Sequence, residues 1–342
     1  MPGSQGNESV NTVTSPAAAS DLRLLLGPIQ ESLDKVEELL RKELRSPHPP
    51  VDELVRYGCL LGGKRLRPVL MLLVAKACGE IRPDHITLAT VVEMIHTATL
   101  VHDDVLDDAS QRRHLATVNA RWGNESSVLL GDFLFTHAFY LASTLDNTFA
   151  CRTIGRSTNL VCEGELRQIA TRGRFELTEA EYLEIIEAKT AELCACSARL
   201  GAHYAGINEE GQERMDRFGR SLGIAFQIAD DLLDITGDEQ TTGKSLGSDL
   251  AQQKPTLPVI HALEVASPAE RETMLELLAE PTEAGRPAEL AEWLERFDAV
   301  EYTRRKALAY AQEARDQLRG LPDSEAKDVL SLITEFVVRR SH

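Results

Sequence analysis

Residues 91–108 read VVEMIHTATLVHDDVLDD, a long apolar run that closes on aspartates. With the residues before it, the run places apolar side chains at three- and four-residue spacing and predicts a helix over 84–105. That helix has no clear polar face, so other helices must surround it, and an all-α chain is expected. At its end Asp103, Asp104 and Asp107 fall at i, i+1 and i+4. Asp103 and Asp107 therefore share a face, with Asp104 about 100° away. Like charges one turn apart repel, and acid at a helix C-terminus opposes the macrodipole. A second stretch, FQIADDLLDI at 226–235, repeats the arrangement with Asp230, Asp231 and Asp234, again after an apolar helix. One set alone reads equally well as a solvated helix end. Two suggest facing carboxylates with a cation between them. Oxygen-only ligands suit Mg²⁺, which keeps several waters and is commonly completed by substrate phosphates.

Outward from this helix the same spacing recurs. Leu22, Leu25, Ile29, Leu33, Val36 and Leu40 mark a first helix, with Pro28 as a candidate first-turn residue. It stops before Pro47, Pro49 and Pro50. A segment from Val51 runs into the Gly62-Gly63 break, and helices follow at 66–78, 127–145, 150–172, 178–204 and 212–235. The TEAE run at 178–181 has the form of a capping box. Residues 237–255, GDEQTTGKSLGSDLAQQKP, read as a long polar loop of the kind that often carries function. Helices resume near Thr256 and continue to Arg340, with no convincing alternating strand and no repeat.

Composition narrows the function. Aromatics are only 5% against 43% hydrophobic residues, which favours helix over sheet. The net charge of -17 makes bulk nucleic acid or an anionic membrane a poor partner. Phosphates must then be bound by local cations or bridging metal. Residues 1–20 are small and polar, unlike a signal peptide, and read as a flexible tail before one helical domain over 21–342. No stretch approaches the ~18 apolar residues of a membrane span. A cytoplasmic protein is expected, with reduced thiols at its six cysteines, which show no zinc-ligand spacing.

Candidate cations lie close to the acidic sets in sequence. The glycine-led turn GGKRLRP at 62–68 supplies Lys64, Arg65 and Arg67; Arg112 and Arg113 follow the first set; Lys189 lies in EAKTA; Lys244 and Lys254 lie in the polar loop. Taken in order, GGKRLRP, then a histidine at 96 ahead of HDDVLDD, then RR, KTA, FQIADDLLD and GK…DL…KPTLP, the chain resembles the trans-isoprenyl (polyprenyl) diphosphate synthases, over roughly residues 25–340. The resemblance implies an all-α bundle around a deep central cavity, usually a homodimer. It implies condensation of an allylic prenyl diphosphate with isopentenyl diphosphate. By position, Lys64, Arg67, His96 and Arg113 would hold the isopentenyl diphosphate. Arg112, Lys189, Thr190, Gln227, Lys244 and Lys254 would contact the allylic diphosphate. Asp103, Asp104 and Asp107 would bind Mg²⁺ on one side, and Asp230 and Asp234 on the other, with three ions once substrate is bound; Asp231 joins the catalytic set. His114, Ala116 and Gln253 stand where the family usually has Gly, Pro and Gly, which puts the local loop shape in question.

The growing chain is expected to run down the helix away from Asp103. Thr99 lies ~6 Å below it and Ile95 ~12 Å. Ala98 and Thr99 are small where short-chain members tend to carry bulky aromatics, so a product longer than geranylgeranyl is expected. Ile95 and Val92, or Leu134, Phe135 and Phe139 on a later helix, are candidate floors. Small residues here also suit close helix packing. A terpene cyclase shares metal-triggered ionisation, but it pairs one DDxxD with an Asn/Ser/Glu motif and has no need of GGKRLRP. A non-catalytic partner subunit would usually have lost the acidic sets.

Overall fold

A computed structural model describes residues 26–60, 65–236, 248–279 and 286–339. The 1–20 tail, Lys64 and Lys244 lie outside the described residues. Helices α1 (Gln30–Glu43), α2 (Pro49–Leu60), α3 (Leu66–Cys78) and α4 (Pro83–Leu106) come first. A two-residue hairpin, β1 (Gln111–Arg112) and β2 (Leu115–Ala116), leads into α5 (Val118–Trp122), α6 (Asn124–Ser143) and α7 (Phe149–Ala170). A long helix α8 runs as Glu179–Ile186, a π turn Glu187–Ala191, and Glu192–Tyr204. Then come α9 (Glu209–Thr236), α10 (Ser248–Ala251), α11 (Leu257–Val265), α12 (Pro268–Ala279), α13 (Arg286–Arg296), α14 (Ala299–Gln317) and α15 (Glu325–Arg339).

As its pattern demands, α4 is central. From residue 88 to 98 every side chain but His96 is buried. It packs on α3, α6 and α8, while α8 also lies along α3 and α9, and α14 lies along α9. Proline opens α4, and the His85 ring accepts the Arg82 N–H at 2.8 Å while its other nitrogen meets the Gly201 carbonyl at 3.1 Å. The predicted capping box opens α8: the Glu181 N–H donates to Thr178 Oγ1 at 3.3 Å and the Thr178 N–H to Glu181 Oε2 at 2.9 Å. Glycine sets two of the closest approaches. A Cβ at Gly201 would lie 2.6 Å from the Met71 carbonyl oxygen, and one at Gly219 2.5 Å from that of Cys194. A second, smaller apolar cluster joins α11, α12 and α13 through Val259, Met274 and Leu294. Among the described residues no helix is long and apolar enough to cross a membrane.

The hairpin departs from the strandless reading, because two-residue strands are too short to alternate. Its turn residues Arg113 and His114 sit at φ 53° and 63°, both left-handed, as a tight two-residue connection requires. Gln253 is also left-handed, at φ 53°. Two positions where the resemblance leads one to expect glycine therefore keep a backbone suited to it. The short helix α10 falls inside the stretch read as loop.

Gly201→Ala should destabilise the protein by about 1–3 kcal/mol, because the new methyl meets backbone that cannot yield. Equilibrium urea unfolding, followed by the midpoint, checks this.

Candidate active site

Where α4 ends, its aspartates diverge. Asp104 is buried, and Arg112 from the hairpin donates to its Oδ1 through Nε at 2.9 Å and Nη2 at 2.8 Å. Asp104 Oδ2 is buried without a partner. Asp107 takes Arg172 at 2.7 Å and Lys254, whose Nζ lies 3.2 Å from each carboxylate oxygen. Asp103 is half-buried, and its backbone carbonyl accepts the Asp107 N–H at 2.9 Å. Burial pushes its carboxyl up to about 6, with Glu165 and Asp107 pushing the same way against Lys189.

Near the end of α9, Asp231 is 4% exposed while Asp230 and Asp234 keep partial exposure. Tyr182 donates its hydroxyl to Asp231 Oδ2 at 2.6 Å and Gln227 donates Nε2 to Oδ1 at 2.6 Å. Burial, Asp249 and Asp230 raise the Asp231 carboxyl above its ordinary range. Asp234 Oδ2 accepts the Asp249 N–H at 3.1 Å, the Lys254 N–H donates to the Asp249 carbonyl at 2.8 Å, and the Lys254 side chain reaches Asp107. This chain of contacts joins the second acidic set to the first. The Gly173 N–H donates to the Gln253 carbonyl at 2.8 Å, which holds Arg172 and Lys254 side by side at Asp107. The left-handed Gln253 lies in this loop.

The π turn supplies the other wall. Lys189 ion-pairs with Glu165 and donates to Gln168 Oε1 at 2.6 Å. Asp103 and Glu165 raise its pKa although burial opposes them. Thr190 donates to Gln227 Oε1 at 2.8 Å. Single π turns inside α-helices often mark functional sites. Glycines on both flanks let neighbouring helices reach this one: a Cβ at Gly164 would lie 2.6 Å from the Lys189 nitrogen, and one at Gly223 2.5 Å from the Ala191 Cα.

A second group of cations lies behind α4. Arg65, left-handed at φ 54°, donates to Glu37 at 2.6 Å and to the buried Glu93 at 2.8 Å. Its guanidinium is spent on these two carboxylates. Arg67 Nε is buried without a partner. Burial first, then Arg67, Arg113 and Arg112, keep His96 well below the usual imidazole range, so it is neutral. Tyr57 ties α2 to the hairpin by donating to the Ala116 carbonyl at 2.7 Å. Of the chain-length candidates, Ala98, Ile95, Val92 and Leu134 are fully buried, while Thr99, Phe135 and Phe139 stay partly exposed.

The sequence reading missed Arg172, Glu165, Gln168 and Tyr182. Nothing local marks Arg172, which reaches Asp107 only through the fold. Glu165 and Gln168 stand at i, i+3 and so share a helix face, a readable signal. The one acid inside the apolar 91–101 run, Glu93, was another: a buried charge needs a partner.

Among the described residues no three His, Cys, Asp or Glu side chains converge into a closed ligand shell. The donor set nevertheless fits a hard divalent cation. It is all oxygen, with the unpartnered Asp104 Oδ2 one residue from the Asp103 carboxylate. Open sites of this kind are completed by water and substrate.

The polyprenyl synthetase family model matches residues 48–295. The octaprenyl diphosphate synthase of Haemophilus influenzae is 36% identical over 310 residues, covering 91% of this chain and 94% of the relative. Among solved structures, a decaprenyl diphosphate synthase from Rhodobacter capsulatus gives a TM-score of 0.88 at 35% identity, covering 94% of this chain and 99% of that one. A polyprenyl synthase from Caulobacter crescentus, complexed with calcium and isoprenyl diphosphate, gives 0.87 at 34% identity, covering 93% and 97%.

Gly164→Ala should push the π turn by a fraction of an ångström to an ångström and lower turnover on the order of 100-fold, because reacting groups tolerate little misplacement. Steady-state kinetics beside an unchanged circular dichroism spectrum checks this.

Proposed function

The chain belongs to the polyprenyl synthetase family, and from that premise we propose that it condenses an allylic prenyl diphosphate with isopentenyl diphosphate, head to tail and trans, into a polyprenyl diphosphate longer than geranylgeranyl. The observation that carries this reading is the contact chain Asp234–Asp249–Lys254–Asp107, which brings both acidic sets to one place.

Asp103, Asp104 and Asp107 would hold Mg²⁺ on one side and Asp230 and Asp234 on the other, with three ions once substrate is bound. Mg²⁺ so held supplies fixed positive charge and Lewis acidity for the departing diphosphate. Arg112, Lys189 and Lys254 bind that diphosphate together with Lys244, and Arg172 joins them at Asp107. Lys64, Arg67, Arg113 and the neutral His96 hold the isopentenyl diphosphate. The orphaned Arg67 Nε is a donor awaiting an anion. Their role is orientation: the double bond of the second substrate must face the allylic carbon. Thr190 and Gln227 turn the negative ends of their dipoles toward the cation that develops as the carbon–oxygen bond breaks. The apolar walls exclude water from that cation. Among the described residues no strong general base stands beside the site, and the departing diphosphate takes the final proton.

The product grows between α4 and α6, past Ala98 and Thr99 and toward Ile95 and Val92, with the partly exposed Phe135 and Phe139 as a floor. The chain works as a homodimer. The outer face of α6 carries Leu129 at 67% and Tyr140 at 61% exposure, with Val128 beside them, and a second copy would cover this stripe. Residues 21–342 act as one domain around the single site, and the enzyme works in the cytoplasm.

Incubation with farnesyl diphosphate, isopentenyl diphosphate and Mg²⁺, followed by mass analysis of the lipid, tests the reading. Products beyond geranylgeranyl are expected, and no elongation would overturn it. Asp103→Ala and Asp230→Ala should each cost about two decades or more in kcat with the fold intact. Near wild-type turnover at saturating Mg²⁺ would remove the metal assignment. Ala98→Phe should shorten the product, read by chromatography after dephosphorylation, and unchanged length would sink the assigned path.

A further inference from the structure

Tyr182 lies in the first half of α8, before the π turn, and the reaction outlined above gives it no task. Yet it ends a continuous line of short hydrogen bonds that reaches the site: Tyr182 Oη to Asp231 Oδ2 at 2.6 Å, Gln227 Nε2 to Asp231 Oδ1 at 2.6 Å, and Thr190 Oγ1 to Gln227 Oε1 at 2.8 Å. We propose that Tyr182 is a positioning residue for prenyl transfer, fixing Gln227 and Thr190 through Asp231, and that Asp231 serves this line instead of holding metal.

Donor and acceptor chemistry settles the direction of the line. The Gln227 amide turns its NH₂ to Asp231 Oδ1 and its carbonyl to Thr190. The Thr190 hydroxyl then donates to that carbonyl, and its own lone pairs are left for the substrate side. Tyr182 supplies the second donor, so both oxygens of Asp231 are occupied. Asp230 and Asp234 differ: they keep partial exposure, as metal ligands completed by water and substrate require.

The winding of α8 explains how one helix can supply both ends of the line. At ~100° per residue, the eight residues from Tyr182 to Thr190 would leave them ~80° apart. The wider π turn at Glu187–Ala191 winds less per residue and swings them toward one face, the face that meets α9. On α9, Gln227 and Asp231 stand one turn apart and bridge from the regular part of α8 into its π turn.

This proposal rests on the prenyl-transfer reading, and its test keeps the two apart. In the full-length enzyme, Tyr182→Phe should lower kcat about 10- to 100-fold, the usual scale for a group acting through another. The KM for isopentenyl diphosphate and the calorimetric binding of Mg²⁺ with inorganic diphosphate should not move. Asp231→Asn should keep more activity than Asp231→Ala, because an amide still accepts from Tyr182 and the Gln227 amide can turn to match it. Wild-type kcat in Tyr182→Phe would overturn the proposal. So would an Asp231→Asn variant that loses Mg²⁺ binding as severely as Asp230→Asn, since Asp231 would then be a ligand. Either result leaves the prenyl-transfer reading standing. Failure of the wild-type protein to incorporate isopentenyl units would overturn that reading, and the proposal with it.

Discussion

Carboxylates crowded at the C-terminal ends of two apolar helices are the constraint on which the rest depends. Each is out of place by ordinary rules, since burial, mutual repulsion and the helix dipole all oppose its charge. The fold answers with cations delivered from distant points of the chain. Arg112 comes from the hairpin, Arg172 from just beyond α7, Lys189 from the π turn of α8 and Lys254 from the segment before α11. In a chain of net charge -17 these are local exceptions, and their positions trace the site.

The same demand operates behind α4. Glu93 is a carboxylate inside an apolar helix, and Arg65 neutralises it while sharing itself with Glu37. Arg65 adopts a left-handed backbone to do so, at the start of α3. The start of α3 is thereby tied to the helix that bears the first aspartates.

Helical periodicity was legible wherever a helix buries one stripe or all of itself. The run 66–78 is reproduced to the residue, and the central helix differs from its expected bounds by one residue at each end. The α8 N-cap was legible because Thr178 and Glu181 carry the reciprocal chemistry. The π turn was not, because EAKTA has the composition of any helix, and the glycines that leave room beside it, Gly164 and Gly223, lie on neighbouring helices. The hairpin escaped for want of length. At the site, the aspartates announced themselves by repetition. Arg172 could not, since its partner lies 65 positions away in sequence. Tyr182 was hidden as one more apolar position on an amphipathic helix.

The π turn also sets what a change of length in α8 would do. Losing one residue between Tyr182 and Thr190 would leave seven steps of ordinary helix. Seven steps of ~100° would still bring the tyrosine and the threonine within ~20° of one face, so the π turn holds one more residue than a regular helix would need between them. The wide turn is thus a way of carrying an added residue without turning one half of α8 away from the other.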